Sequence, residues 1–243
     1  MIFLLICVVA LYEFYNLTVA SGSSPFLLPS MIAGAIVFLL AYLTSSRYTG
    51  PSALVLLLPL ILFMLLVALY SDHKDVLRST AISLLGILYI AIPLSTINYL
   101  AFPKCNGYAY THRILLGILT LVWINDTGAY LVGITIGRHR LLERVSPKKS
   151  WEGAFGGMIL TLACGWWMKP LMGILDRKDW LVLALIVSVF GVFGDLTESV
   201  FKRSAGLKDS GTIIPGHGGI LDRIDSILFV MPLSLVYLIM NNL

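Results

Sequence analysis

The sequence predicts an all-α fold, a polytopic transmembrane helical bundle of about eight transmembrane helices. Of the 243 residues, 58% are hydrophobic and only 12% are charged, whereas soluble domains are about 25% charged. The mean hydropathy is +0.90. The apolar residues also gather in runs of about 20, the length that a helix needs to cross a bilayer. Because so few charges cannot cover the surface of a soluble domain of this size, a membrane protein is indicated.

Eight apolar segments meet that length requirement. In chain order they are Ile2–Ala20, Phe26–Thr44, Ser52–Tyr70, Ser79–Leu100, Arg113–Ile136, Gly153–Leu171, Trp180–Phe201 and Gly219–Met240. The first is not typical of a cleaved signal peptide, because no Lys or Arg precedes Arg47 and Glu13 interrupts the run. The fifth is long and is expected to be tilted or broken near Gly128. The loops are short, so we expect a single integral membrane domain, 1–243, with N-terminal helices in 1–110 and a motif-bearing catalytic half in 111–243.

The basic residues divide unevenly between the two sides of such a bundle. Eleven fall on one side: Lys74, Arg78, Arg138, Arg140, Arg144, Lys148, Lys149, Lys202, Arg203, Lys208 and Arg223. Six fall on the other: Arg47, Lys104, Arg113, Lys169, Arg177 and Lys178. Since Lys and Arg are enriched in cytoplasmic loops, the first side is expected to face the cytoplasm. Eight helices then put both termini outside, and a related longer chain is expected to carry one more helix ahead of this one.

Six acidic residues lie within or at the ends of the predicted helices: Glu13, Asp126, Asp195, Glu198, Asp222 and Asp225. A charged residue at the centre of a membrane helix costs about 3 kcal/mol on insertion scales. Such groups need a partner, a metal ion or a watery cavity, and they are therefore functional candidates. Asp195, Glu198, Ser199 and Lys202 fall at i, i+3, i+4 and i+7 and share one helix face. A simple neutralising pair of Lys202 with Asp195 or Glu198 would explain that face equally well.

The stretch that follows, SVFKRSAGLKDSGTIIPGHGGILDRID from Ser199 to Asp225, combines glycines with acids and bases. Glycines let a backbone approach an anion closely, and the PGHGG run leads into a helix N-terminus that favours phosphate. Asp222 and Asp225 lie one turn apart and can offer oxygen ligands to a hard cation. The alternative is a flexible loop with a helix cap, but such a loop does not require this density of glycine and charge.

A second polar stretch, DTGAYLVGITIGRHRLLERVSPKKSWEGAFGG, runs from Asp126 to Gly157. Asp126, Tyr130, Gly133 and Gly137 form a small and polar stripe at helical spacing, suited to close helix packing beside a cavity. Ser146, Lys148, Lys149 and Trp151 are expected to open the sixth helix. A positive-inside loop beside a packing stripe explains the basic residues but not an acid inside the membrane. No pattern in the chain is typical of nucleic-acid binding, and no cysteine spacing suggests a zinc site.

Together these stretches resemble the phosphatidate cytidylyltransferase (CDP-diglyceride synthetase) family. The pattern S-x-x-K-R-x4-K-D, followed by P-G-H-G-G-x-x-D-R-x-D, is met at every fixed position, and DTGAY and SPKKSWEG are similar to further family hallmarks. The resemblance implies an Mg²⁺-dependent enzyme that makes CDP-diacylglycerol and pyrophosphate from CTP and phosphatidate. It also implies an active site at the cytoplasmic face of a bacterial inner membrane. A second cation and a homodimer are compatible with the sequence.

The resemblance also implies roles for individual residues. Those implied as catalytic are Asp195, Asp222, Asp225 and Lys202. Those implied as metal ligands are Asp195, Asp222 and Asp225, with Asp126 as a further candidate. Those implied to hold phosphates or the nucleotide are Ser146, Lys148, Lys149, Ser199, Arg203, Lys208, His217 and Arg223.

Two other functions remain open at this stage. An ion-coupled transporter would also carry intramembrane acids and Gly-broken helices, although no inverted repeat is present. A CTP-dependent lipid-alcohol kinase would transfer the γ-phosphate and release CDP instead of pyrophosphate. A CDP-alcohol phosphotransferase is less compatible, because its D-G-x2-A-R-x8-G-x3-D-x3-D spacing is not found.

Overall fold

The computed structural model describes residues 1–207, 210–211 and 218–243, and these ranges contain nine α-helices. The helices are α1 (Ile2–Ala20), α2 (Leu27–Ser45), α3 (Leu57–Leu69), α4 (Val76–Gly86), α5 (Ile92–Ala101), α6 (Arg113–Ile136), α7 (Trp151–Met172), α8 (Arg177–Ser204) and α9 (Leu221–Met240). Two 3₁₀ turns, Pro51–Leu56 and Lys104–Asn106, and a π turn, Ile87–Ala91, complete the helical part. Strands β1 (Arg140–Leu142) and β2 (Ser146–Ser150) form an antiparallel hairpin.

The all-α prediction is confirmed, and most predicted segments end within one helical turn of the observed helices. The fourth segment is one apolar helical stretch that contains a π turn, and two other details were wrong. The π turn forms because Pro93 lacks an N–H and cannot bond the carbonyl of Tyr89. The fifth segment, α6, is unbroken at Gly128. Ser146, Lys148 and Lys149 belong to β2 and do not open the sixth helix, which begins at Trp151.

Seven helical stretches of the described chain are long and apolar enough to cross a membrane. They are Ile2–Ala20, Leu27–Ser45, Pro51–Leu69, Val76–Asn106, Arg113–Ile136, Arg177–Ser204 and Leu221–Met240. Helix α7 is not among these seven, although it has 22 residues. Its glycines, tryptophans and charged ends lower its hydropathy. The chain is thus an integral membrane protein with seven apolar spans and one further long helix.

The chain divides into two compact units. The first comprises Met1–Tyr99 and Phe201–Ile224, and the second comprises Leu100–Val200 and Asp225–Leu243. The single domain expected from the short loops stays a prediction.

In the first unit, α1 is the central helix, and small residues of its neighbours let it pack closely. A methyl group on Gly34 would lie 2.4 Å from Leu11, and one on Gly86 would lie 2.5 Å from the hydroxyl of Tyr15. Tyr15 is fully buried and donates a 2.8 Å hydrogen bond to the carbonyl of Ser83. The ring of Phe14 packs edge-on against Phe201. Helix α1 is therefore held on several sides.

In the second unit, glycines again mark the closest helix contacts. A methyl group on Gly157 of α7 would lie 2.7 Å from the backbone oxygen of Asn125 in α6. One on Gly117 of α6 would lie 2.2 Å from the ring of Trp180, the fully buried anchor of α8. One on Gly194 of α8 would lie 2.4 Å from the backbone oxygen of Asp225 in α9. Small residues at helix interfaces are typical of membrane bundles, because van der Waals contact drives their association.

Candidate active site

Two of the predicted catalytic acids meet where α8 and α9 approach most closely. Gly194 lets the backbone of α8 lie directly against the carbonyl of Asp225 and the Cα of Ser226. Asp195 follows Gly194 in the chain, so its carboxylate and that of Asp225 interact electrostatically. Both side chains are half-buried. The close backbone approach at Gly194 explains why these two acids interact, and their shared role in catalysis stays a prediction.

One lysine and a third acid join this pair within the second unit. Lys149 of β2 forms a salt bridge with Asp195, and each side chain is about one-third exposed. Asp126 of α6 interacts electrostatically with Lys149, Asp195 and Asp225. We call Asp126, Lys149, Asp195 and Asp225 the acid cluster. Three carboxylates and one ammonium leave it with an excess of negative charge, which favours a cation.

The β-hairpin sets the position of Lys149. Ser150 ends β2 and its hydroxyl caps α7 by accepting the N–H of Gly153. Just before the other strand, β1, the backbone N–H groups of Arg138 and His139 donate hydrogen bonds to Glu152, whose carboxylate also lies 2.5 Å from the imidazole of His139. These bonds lower the pKa of Glu152 to about 2, with the imidazole contributing most. The hairpin is therefore tied to the start of α7 at both of its strands.

A second group of contacts surrounds Asp222 within the first unit. Lys202 Nζ lies 2.5 Å from Asp222 Oδ1, and the two side chains are only 12% and 14% exposed. Asp222 Oδ2 accepts hydrogen bonds from the N–H and hydroxyl of Ser210, at 3.1 and 3.0 Å, and from the N–H of Gly219, at 2.9 Å. Asp222, in the first turn of α9, thus bonds two segments of the glycine-rich stretch that precede the helix, one at Ser210 and one at Gly219. We call Lys202, Ser210, Gly219 and Asp222 the capping cluster.

Two charged residues of α8, Asp195 and Lys202, form salt bridges with residues of other elements. Asp195 pairs with Lys149, and its Oδ1 accepts a 3.2 Å hydrogen bond from the hydroxyl of Ser199. Lys202 pairs with Asp222 across the glycine-rich stretch. Glu198 is almost fully buried. Asp195 and Lys202, predicted to share one face of α8, therefore each form a salt bridge with a residue far away in the sequence.

Four other predicted site residues belong to neither cluster. Arg203 donates to the carbonyl of Leu207 at 3.1 Å, Arg223 is exposed, and Lys148 is exposed on β2. Ser146 begins β2 and is half-buried. Lys208 and His217 lie outside the described residues. The roles implied for these residues stay predictions.

The predicted packing stripe on α6 is only partly correct. A methyl group on Gly133 or Gly137 would lie 3.5 or 2.6 Å from the hydroxyl of Ser150, so both glycines do pack closely. Asp126 and Tyr130 are exposed instead of packed. The close approach to α7 also uses Gly128, which the stripe did not include and whose added methyl group would lie 3.2 Å from the Cα of Gly157.

Two grooves border the hairpin in the second unit. One, of about 720 Å³, is lined by Arg138, His139, Arg140, Glu143, Trp151, Glu152 and Phe155. The other, of about 470 Å³, is lined mainly by apolar side chains of α7 and α8, among them Met158, Val189, Val192 and Leu196. Leu141 and Leu142 of the hairpin also line this apolar groove. A groove lined by both Arg and Glu side chains and an apolar groove thus border the same hairpin, and both include Trp151 and Phe155.

Glu13 of α1 was recognised as an intramembrane acid but was not assigned to the site. It is 2% exposed, and its Oε2 accepts a 2.8 Å hydrogen bond from the N–H of Leu221, the first residue of α9. Its Oε1 has no hydrogen-bond partner among the residues that the structure describes. The partner of Glu13 lies 208 positions away, so no local pattern could have identified it.

Comparison with known proteins decides the family. A model of the cytidylyltransferase family matches residues 1–241, nearly the whole chain. The chain belongs to the cytidylyltransferase family. Similar members include a Staphylococcus epidermidis protein, 34% identical over 238 residues that make up 97% of this chain and 87% of that protein. A Staphylococcus aureus member is 35% identical over 98% of this chain and 88% of its own length. Both relatives are called phosphatidate cytidylyltransferase, and the resemblance stated from the motifs is confirmed.

Proposed function

We propose that this cytidylyltransferase-family member is a phosphatidate cytidylyltransferase, an enzyme that converts CTP and phosphatidate into CDP-diacylglycerol and pyrophosphate. The observation that carries the proposal is the whole-chain similarity to relatives of that name. The acid cluster adds a physical reason. Both substrates are strongly anionic, so a site for their reaction needs cations to offset charge repulsion.

The acid cluster fits a magnesium ion in its chemistry. Carboxylate oxygens are the ligands that Mg²⁺ prefers, and Lys149 offsets only part of the charge of Asp126, Asp195 and Asp225. Within the described ranges, no three His, Cys, Asp or Glu side chains converge into a ready-made metal site. Mg²⁺ is commonly held by one or two carboxylates together with substrate phosphates, which is the arrangement that two neighbouring acids can offer.

We assign Asp195 and Asp225 as the protein ligands of Mg²⁺, with Asp126 as a further candidate. The ion would supply charge neutralisation on the triphosphate. The predicted place of Asp222 among the ligands stays a prediction; its carboxylate pairs with Lys202 and accepts hydrogen bonds from Ser210 and Gly219. A second cation likewise stays a prediction.

In the reaction, a phosphate oxygen of phosphatidate forms a bond to the α-phosphorus of CTP. The bond between the α-phosphorus and the bridging oxygen breaks, and pyrophosphate leaves with that electron pair. No general base is required, because a phosphate monoester with a second pKa of about 6 is already ionised near neutral pH. The protein then acts mainly by positioning and charge stabilisation. Lys149, set beside the acids by its salt bridge, is proposed to contact a nucleotide phosphate.

Further basic and polar residues of the motifs are proposed to hold the substrates. Ser146 and Lys148 of β2 would assist Lys149 with the nucleotide. Residues proposed to hold phosphates are Lys202, Arg203, Lys208, His217 and Arg223, with Ser199 nearby in the chain. Lys and Arg suit this task because they neutralise phosphate charge, and Arg can bind two oxygens at once.

The apolar groove is proposed to receive an acyl chain of the lipid substrate. Its walls are aliphatic and aromatic side chains of α7 and α8, and its volume of about 470 Å³ suits an extended hydrocarbon. Lys148 and Lys149 lie on the same hairpin whose Leu141 and Leu142 line the groove. A lipid lying there would have its tail in apolar surroundings and its phosphate near positive charge.

We also propose that the site faces the cytoplasm of a bacterial inner membrane. Eleven of the seventeen Lys and Arg residues fall on the side that carries the motifs, and positive charge is enriched in cytoplasmic loops. CTP is a cytoplasmic metabolite, so this orientation gives the enzyme access to it. A homodimer, which is compatible with the sequence, stays a prediction.

The test is a reaction with purified protein in detergent micelles containing phosphatidate. We expect CTP to give CDP-diacylglycerol and pyrophosphate in equal amounts, and only with Mg²⁺. The Asp225→Asn variant should lose most turnover because it removes a metal ligand, while remaining inserted and folded. Release of CDP in place of pyrophosphate would instead identify a lipid kinase, and the absence of any product would reject the proposal.

A further inference from the structure

Glu13 lies within the apolar helix α1, and its side chain contacts the glycine-rich stretch and the start of α9. Its carboxyl group is buried, and Oε2 accepts the N–H of Leu221 at 2.8 Å. The first N–H groups of any helix lack partners within that helix. Glu13 therefore supplies an acceptor to α9 from a different part of the chain, where the positive end of the helix dipole also favours an acid.

The same carboxyl group lies against two glycines of the glycine-rich stretch. A methyl group on Gly211 would lie 2.5 Å from Oε1, and one on Gly219 would lie 2.6 Å from Oε2. Neither glycine is among those with a positive φ angle. The close approach of Glu13 thus explains Gly211, and at Gly219 the approach of Glu13 acts together with that of the Ser210 hydroxyl.

Glu13 and the capping cluster hold the same short segments through different atoms. Asp222 accepts hydrogen bonds from the N–H groups of Ser210 and Gly219. Glu13 leaves no room for a side chain at Gly211 or Gly219 and accepts the N–H of Leu221, at the start of α9. Lys202 is in turn paired with Asp222. A shift of Glu13 would therefore move the backbone that sets Asp222 and, through it, Lys202.

We propose that Glu13 is a positioning residue of the reaction, one that fixes the start of α9 and the described ends of the glycine-rich stretch without contacting substrate. This inference rests on the proposed function, because turnover is its readout. By this proposal, α1 contributes a residue that positions the start of α9. The proposal also predicts that the acceptor oxygen of Glu13 matters more than its charge.

Three variants separate these effects. Glu13→Ala removes the acceptor and should lower kcat about 10- to 100-fold, the size expected for a buried donor left without its partner. Glu13→Gln keeps an acceptor oxygen of the same reach and should retain turnover within about threefold. Tyr15→Phe is the matched control, because it removes a buried hydrogen bond of the same helix that ends on Ser83, away from the glycine-rich stretch. It should lower thermal stability while leaving kcat unchanged.

A double-mutant cycle tests the contact directly. Gly211→Ala alone should displace the Glu13 carboxyl group and lower kcat about tenfold. The three atoms nearest to that methyl group all belong to the Glu13 side chain and are absent in the Glu13→Ala background, so its added effect there should be less than about twofold. Should Glu13→Ala fail to fold, Gly211→Ala alone carries the test, since it leaves α1 intact.

The outcomes are distinct from a failure of the proposed function. If the wild-type protein forms no CDP-diacylglycerol, the proposed function is wrong. If the wild type is active and Glu13→Ala or Gly211→Ala turns over at the wild-type rate, the positioning role is overturned. Independent, multiplying losses in the double variant would overturn it as well, as would a Glu13→Gln variant as inactive as Glu13→Ala.

Discussion

Replacing Lys202 by Met is the variant whose effect can best be sized from the structure. Lys202 and Asp222 are only 12% and 14% exposed and lie 2.5 Å apart. Removing one partner of a buried pair leaves the other charge uncompensated and costs about 3–5 kcal/mol. Asp222 keeps its hydrogen bonds from Ser210 and Gly219, so we expect the lower end, about 3 kcal/mol. If that loss is felt in the transition state, the rate falls about 150-fold.

The assay is the initial rate of CDP-diacylglycerol formation, together with thermal unfolding followed in detergent. Lys169→Met is the control, because Lys169 also lies close to an acid, Asp176, at 2.7 Å, but the two side chains are 50% and 76% exposed. Solvent screens that pair, so the control should match the wild type in both measurements. A Lys202→Met protein with the wild-type rate and the wild-type unfolding temperature would refute the reasoning.

Three further variants address other parts of the structure. Val192→Phe narrows the apolar groove and should raise KM for long-chain phosphatidate at least severalfold while leaving KM for CTP unchanged. An equal change in both KM values would argue against binding of the lipid in this groove. Gly157→Ala forces the backbones of α6 and α7 apart and should cost about 1–3 kcal/mol of stability, whereas Gly50→Ala, with only a side-chain oxygen 3.5 Å away, should be neutral in thermal unfolding. The pKa of Glu152 is lowered from 4.5 to about 2, so its ionised carboxylate should stabilise the hairpin fully above pH 4.5 and progressively less toward pH 2. The rate of proteolysis within the hairpin, measured at each pH, tests this. The Glu152→Gln variant should show no such dependence of the proteolysis rate on pH.

The helices could be predicted because their signal is local. A run of about 20 apolar residues is readable wherever it occurs, and its ends are marked by loops with charge or glycine. The hairpin was missed because β1 and β2 have only three and five residues, several of them basic. Its stability comes from strand pairing and from the bonds of Glu152 to the N–H groups of Arg138 and His139, just before β1, and composition does not reveal these contacts.

The site was predicted in its residue types but not in its pairings. The spacing on one helix face allowed a neutralising pair of Lys202 with Asp195 or Glu198. In the structure Asp195 forms a salt bridge with Lys149, and Lys202 forms one with Asp222. Those contacts depend on backbone approaches at glycines such as Gly194. One sequence shows that a glycine is present but not which backbone it allows to approach.

The proposed reaction predicts which phosphorus of CTP enters the lipid. Purified protein would be incubated with phosphatidate, Mg²⁺ and CTP labelled with ³²P at either the α or the γ position, and the lipid would then be extracted. We expect label in the lipid only from the α position, because the γ-phosphate leaves within pyrophosphate. Lipid label from the γ position, or from neither, would contradict the assignment of this chain as a phosphatidate cytidylyltransferase.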